Sequence, residues 1–264
     1  MLPGGRRTVQ KASPSSGTQA HYLAARQVDR RDRLEAKLPS SLTYALLGKR
    51  RDMTLKSAVK SPFIRSGRVW TGPAKGVRLE GPSSLRVYAG LYEIELNRWI
   101  RKLIGPTTDV FDIGAQYGFD ALMFAQLGAP RVLTVEADPE LEPLIRGNIE
   151  RNGMVGRVSI DINWVADGTE GTTTLDELAA KTFMPDFVKM DIEGAEARAL
   201  RAAPEVLEKC GAWLIETHGL DVENECLSIL SGHGLLIETV NQRTWLPDRR
   251  PIGHNRWLIA RRPQ

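Results

Sequence analysis

The chain is predicted to form an α/β fold, a doubly wound (Rossmann-like), mostly parallel seven-stranded sheet, and three features predict it. From about Thr108 onward, short β-prone runs alternate with helical stretches, and the connections between them are short. The last two strands follow each other with no helix between them. Alternation of this kind implies a parallel sheet covered on both faces, and the ending implies that the final strand is antiparallel.

Three segments precede or carry that pattern. Residues 1–65 form a basic, partly disordered arm with 14 Lys or Arg against 4 acids, a local net of +10, whereas residues 66–264 carry 22 against 28, a net of −6. As far as Ala20 the arm is rich in Gly, Ser, Pro and Gln and has too little apolar periodicity to offset the entropy of ordering. A helical stretch over Tyr22 to Leu38 has only a thin apolar stripe. Residues 66–105 form a lead-in of small hairpins and a helix. Its β-prone pieces are Arg68 to Trp70, Val77 to Leu79 and Leu85 to Tyr88, and its helix spans Tyr92 to Leu103, ended by Gly105 and Pro106.

Residues 106–264 hold the main domain. Its strands are expected at Asp109 to Ile113, Arg131 to Glu136, Val158 to Val165, Phe187 to Asp191, Trp213 to Thr217, Leu235 to Val240 and Arg256 to Ala260. Helices are expected at Asp120 to Leu127, Pro139 to Asn152, Leu175 to Ala180, Ala195 to Lys209 and Val222 to Leu230. The segment from Asn241 to Asn255, with Arg243, Trp245, Arg249, Arg250 and His254, joins the last two strands as a long loop, either part of an acceptor pocket or a plain connection.

Composition narrows the function classes. Cys210 and Cys226 have no C-x-x-C spacing, so neither a disulfide framework nor structural zinc is indicated. No apolar run approaches the ~18 residues of a membrane span, and the start MLPGGRRTVQ lacks the apolar core of a signal peptide, so a cytoplasmic protein is expected. The basic arm reads as a solvated tail; its alternative is a nucleic-acid contact, with only Tyr22, Tyr44 and Phe63 available for stacking on bases.

In an open α/β sheet ligands lie beyond the carboxyl ends of the strands. After the first strand stands DIGAQYG, in which Asp112, Gly114, Ala115, Gln116 and Gly118 form a sharp turn. Glu136, followed by Ala137, ends the second strand, where a carboxylate accepts from two ribose hydroxyls. After the third strand, Ala166, Asp167 and Gly168 frame an adenine edge, with Asp167 accepting from the exocyclic amine. A dinucleotide cofactor is the nearest rival, but the G-x-G-x-x-G spacing is absent and Gln116 and Tyr117 would crowd a pyrophosphate. S-adenosylmethionine (SAM), with no phosphate and a charged methionine end, suits this polar turn.

Five blocks, VFDIGAQYGFDALMFAQLG, VEADPELEPLIRGNIERNG, TTTLDEL, PDFVKMDIEGAEARALRAA and IETHG, resemble in order the successive motifs of FkbM-family SAM-dependent methyltransferases, over about Val110 to Gly219. GLYE at Gly90 to Glu93 resembles a segment that often precedes them. Gln116 stands where the family usually has Asn, and Asp120 where it has a small or hydroxyl residue. The resemblance implies methylation of a hydroxyl oxygen on a small-molecule, glycan or lipid acceptor.

Such a transfer calls for a general base near the fourth and fifth strand ends. Asp191 leads, with Glu193 second; in the plainer alternative Lys189 pairs with Asp191, and Glu193 and Glu196 only favour a helix N-terminus. His218 is the one histidine at a strand end on the cofactor side, two residues from Glu216 and so on the same face. Asp191, Glu216 and His218 are also a possible set of ligands for magnesium, although no metal is assigned. No Pro-Pro pair offers a turn to grip an exocyclic amine, and neither cysteine follows a proline, which favours oxygen as the acceptor.

Overall fold

The computed structural model describes residues 67–81, 84–169, 171–244 and 255–263. The basic arm, the stretch from Tyr22 to Leu38, and Trp245, Arg249, Arg250 and His254 lie outside the described residues. One sheet contains β1 (Val110–Ile113), β2 (Val132–Glu136), β3 (Val158–Ile162), β4 (Phe187–Met190), β5 (Ala212–His218), β6 (Leu236–Val240) and β7 (Asn255–Arg261). Their spatial order is β3-β2-β1-β4-β5-β7-β6. Strands β1 to β5 pair in parallel, and β7 runs antiparallel to both β5 and β6, as the ending of the sequence implied. The strand order reverses between β1 and β4, the place where such sheets open a crevice.

Eight helices are described: α1 (Leu85–Ala89), α2 (Asn97–Leu103), α3 (Phe119–Gln126), α4 (Glu142–Arg151), α5 (Leu175–Lys181), α6 (Glu196–Arg201), α7 (Pro204–Lys209) and α8 (Leu220–Gly232). Side chains alternate across the sheet, so each strand feeds two cores. Val110, Val132, Phe187, Ala212 and Leu214 face one core, shared with Ile100 of α2, Leu122 and Phe124 of α3, Ile145 of α4 and the lead-in residues Val69, Val77 and Leu79. Phe111, Ile113, Val188, Met190 and Trp213 face the other, with Leu178 of α5, Leu200 of α6, Val206 of α7 and Leu230 of α8. No helix among the described residues is long and apolar enough to cross a membrane.

Four local expectations are corrected. Leu85 to Tyr88 is helical, because Gly90 takes the left-handed conformation (φ +71°) and its N–H closes the turn on the carbonyls of Arg86 and Val87. The predicted helix from Tyr92 begins later, with a 3-10 turn at Ile94–Leu96 ahead of α2. Strand β3 stops at Ile162; Val165 makes a separate parallel bridge to Thr173. The helix foreseen over Ala195 to Lys209 is two helices, because Pro204 lacks an N–H and Ala203 before it leaves helical geometry (φ −128°, ψ 50°). The Asp176 carboxylate takes the exposed N–H groups of Glu205 (3.0 Å) and Val206 (2.9 Å) at that break. The Arg68 and Val77 pieces do meet, through an antiparallel bridge between Arg68 and Arg78.

Buried Asn148 on α4 ties the lead-in to the sheet's upper edge. Its Oδ1 accepts from the N–H of Glu80 (2.8 Å), and its Nδ2 donates to the carbonyls of Glu80 (3.1 Å) and Tyr117 (3.0 Å). Asn148→Ala leaves the part-buried backbone groups of Glu80 and Tyr117 without this partner, which typically costs about 1–3 kcal/mol. Urea denaturation should show a loss in that range with the slope unchanged, whereas a loss within a few tenths of a kcal/mol would mean that water replaces the amide.

Candidate active site

On the face that carries α2, α3 and α4, the central strands begin apolar and end polar. Val110 is followed by Asp112 in β1, Val132 by Thr134 and Glu136 in β2, Phe187 by Lys189 in β4, and Leu214 by Glu216 and His218 in β5. All six polar residues are buried, and Asp191 follows β4 on the same side. The polar ends converge on the crevice at the strand-order reversal.

The turn after β1 is built by backbone. Gly114 has φ +92°, and a Cβ there would lie 1.8 Å from the carbonyl oxygen of Asp191. Only glycine permits that approach, which seats the turn directly on the chain leaving β4. The N–H groups of Gly114 (2.9 Å) and Ala115 (3.0 Å) both donate to the Val135 carbonyl. Gln116 sits in the left-handed region (φ +50°), and its N–H donates to Oε2 of Glu136 at 2.8 Å. The other Glu136 oxygen accepts from the Asp138 N–H at 2.9 Å, which holds half-buried Ala137 between them. The predicted residues Asp112, Gly114, Ala115, Gln116, Gly118, Glu136 and Ala137 are thus brought to one place.

Asp167 has protein partners of its own. Its carboxylate accepts the Thr169 hydroxyl (2.7 Å) and two Arg198 nitrogens at 2.9 and 3.1 Å, and these partners hold its pKa down at about 2. With the Thr169 N–H and a second Arg198 contact added, its acceptor positions are taken. Asp167 therefore pins α6 to the loop after β3.

A lysine ties β1 to β4. Lys189 is buried opposite Asp112 in the register, with its Nζ 3.2 Å from Asp120 and 3.5 Å from Asp191. Burial works against its charge, but Asp191, Asp120, Asp112 and Glu93 together outweigh it and hold the ammonium above its ordinary pKa. Burial pushes the Asp112 carboxyl up to about 7, with Lys189 pulling it down and Asp120 adding to the rise. Asp112 accepts from the Thr134 hydroxyl (2.9 Å) through Oδ2, and its buried Oδ1 has no hydrogen-bond partner.

Beyond β4 and β5 lies the predicted catalytic group. The Nδ1 of His218 is 2.8 Å from Oε1 of Glu196, which is fully buried and also accepts the Gly194 N–H at 3.0 Å. His218 Nε2 faces Asp191 (3.5 Å), Glu193 (3.6 Å) and Glu216 (3.8 Å). Burial opposes a charge on the imidazole, but the bond to Glu196 and the fields of Asp191, Glu196 and Glu216 raise its pKa to about 10. The Glu196 contact fixes the ring so that Nε2 is turned toward the carboxylates. Burial raises the Glu193 pKa, against the pull of His218. Glu216 is spoken for by Asn255 (2.9 Å) and Trp257 (3.0 Å). Arg243 is buried on the lead-in, paired with Glu95, and so braces the fold.

Comparison with known proteins falls on this second half of the crevice. Residues 163–244 match the methyltransferase FkbM domain. The FkbM match spans less than a third of the chain; it contains Asp191, Glu193, Glu196 and His218 and leaves out the turn after β1. A ribosomal protein L11 methyltransferase of Pelotomaculum thermopropionicum is 36% identical over 78 residues, 30% of this chain and 25% of that protein. The namesake in Symbiobacterium thermophilum is 33% identical over 82 residues, 31% and 23% of the two chains. The chain thus spans about a quarter of the length of these relatives. The METTL16 MTase domain has the same fold, with a TM-score of 0.56 over 92% of this chain and 91% of that one, at 13% identity.

Sequence reasoning passed over Lys189 as a centre, and ranked Glu196 as a plain helix-start residue. Only the DIEGAE spacing, which places a second glutamate one turn beyond the strand end, hinted at a partner for His218.

The raised Asp112 pKa gives stability a definite pH dependence. A carboxyl held at about 7 in the folded chain and near 3.8 unfolded contributes stability that is fully present below the unfolded value and is lost as pH rises through 7. Asp112→Asn removes that slope, so its melting temperature should gain on the wild type between pH 4 and about pH 7 and level off above it. A difference independent of pH over that range would show that Asp112 stays ionised in the fold.

Proposed function

We propose that the chain transfers the methyl group of SAM to a hydroxyl oxygen of a small-molecule, glycan or lipid acceptor. The observation that carries this reading is the contact of Gly114 with the Asp191 backbone, which joins a nucleoside-type turn to a carboxylate and imidazole cluster. The FkbM match over the cluster and the fold shared with a methyltransferase domain support it.

The residues present fit SAM. Glu136 ends β2 as a buried carboxylate for the ribose; the glycine turn admits a backbone-close ligand; the orphaned Asp112 oxygen is an acceptor within the same row. Bound there, SAM supplies an electrophilic methyl on a sulfonium. With SAM held at the turn, Asp191 and Glu193 would be the carboxylates available to take the proton that an acceptor hydroxyl gives up on methylation, Asp191 first. His218, fixed by Glu196, sits beside that carboxylate.

The buried thiols Cys210 and Cys226, unpaired and raised to about 12 by burial, are inert and suit the reducing cytoplasm we assign to the protein. The +10 arm favours a second reading, in which the acceptor is RNA or the chain chiefly binds nucleic acid. Gel shifts with and without residues 1–65 separate the two, since phosphate contacts make affinity fall steeply with salt.

Calorimetry should show SAM binding that Glu136→Ala abolishes; tight NADH binding with none for SAM would overturn the assignment. With an acceptor found by screening hydroxylated metabolites against methyl-labelled SAM, Asp191→Asn should keep SAM affinity within about tenfold. Single-turnover transfer should fall about 10²- to 10⁴-fold. Near wild-type turnover would move the base to Glu193.

A further inference from the structure

We propose that Asp191, Glu193 and His218 form a divalent-cation site, with Glu196 as the outer partner that orients the histidine. One ligand atom from each of the three lies within 4.8 Å of the others. The histidine shows the arrangement of a metal-binding imidazole. Its Nδ1 is held by a carboxylate, as ligating histidines usually are, and the ring is thereby turned so that Nε2 points at the carboxylates.

Two observations separate this cluster from an ordinary set of surface acids. The His218 side chain is 3% exposed, yet its Nε2 has the three facing carboxylates at 3.5 Å or more, beyond a normal N–H···O bond of about 2.7–3.2 Å. Oε2 of Glu193, the oxygen that faces Nε2, is buried without any hydrogen bond. Ligands bound at about 2.1 Å stand about 3.0–3.4 Å apart at octahedral or tetrahedral angles, so the His218 distances of 3.5 and 3.6 Å need a small closure, within a set whose ligand atoms all lie within 4.8 Å of one another.

Charge and chemistry agree. Asp191, Glu193, Glu196 and Glu216 put four carboxylates around one imidazole, while Lys189 faces Asp191 from below. One nitrogen and two carboxylate oxygens suit a hard or borderline ion such as Mg²⁺ or Mn²⁺. Three ligands leave coordination positions for an acceptor oxygen. Glu216 is less suited than Glu193 because Asn255 and Trp257 occupy its two oxygens. The site stands on this geometry alone; only its task, holding the acceptor hydroxyl beside the methyl donor, rests on the methyl-transfer reading.

Mn²⁺ is the probe. After dialysis against a chelator, the full chain should bind one Mn²⁺ by paramagnetic resonance titration, and pulsed resonance should show coupling to an imidazole nitrogen. His218→Ala and Asp191→Asn should each weaken binding tenfold or more. Because replacing the buried histidine risks unfolding the chain, Glu193→Gln serves as the second variant: it keeps shape, should retain the wild-type melting temperature, and should also bind at least tenfold more weakly. Glu225→Gln, on the exposed pair with Arg201, should bind as the wild type does. Absence of Mn²⁺ binding at millimolar ion in protein that still binds SAM overturns the inference and leaves the methyl-transfer reading intact, as does binding without nitrogen coupling or unaffected by Glu193→Gln. Mn²⁺ binding with these signatures in protein that fails to bind SAM confirms the site and removes the methyl-transfer reading.

Discussion

The buried ammonium of Lys189 is the interaction on which the crevice depends. It lies on β4 against β1, at the reversal of strand order, among Asp112, Asp120, Asp191 and Glu93. A buried charge without partners costs several kcal/mol, and so does each carboxylate gathered near it. Here each side offsets the other: the lysine lets acids accumulate at the strand ends, and the acids keep the lysine charged. Without the lysine the carboxylates of this row would repel one another, and the turn after β1 would lose its electrostatic floor.

From that centre the two halves of the site divide. Toward β2, glycine and backbone N–H groups shape a surface around Glu136 that needs little side-chain chemistry. Toward β5, the crevice is lined by side chains: one imidazole, four carboxylates and their bracing partners. The contact of Gly114 with the Asp191 carbonyl is the joint between them. The FkbM match covers only the second half.

Much of this was legible in the sequence because it is local. Strand and helix order follow from periodicity, and the carboxyl ends of strands identify Asp112, Glu136, Asp191 and His218 by position alone. What escaped depends on residues distant in sequence. Asn148 matters through Glu80, 68 positions away, and Asp167 is claimed by Arg198, 31 positions on. Leu85 to Tyr88 has β-prone side chains, but Gly90 and the packing of Val87 and Tyr88 decide for a helix. The pairing of Glu196 with His218 could not be foreseen, since only the meeting of α6 with the end of β5 creates it.

The central claim is that one polar face joins a cofactor turn to an acceptor cluster, and a crystal structure with S-adenosylhomocysteine tests it most directly. The account predicts the ribose hydroxyls on the Glu136 carboxylate, the glycine turn against the ligand backbone, and the sulfur directed toward Asp191 and His218. A ligand seated elsewhere on the fold, or one whose sulfur points away from those two residues, would contradict it.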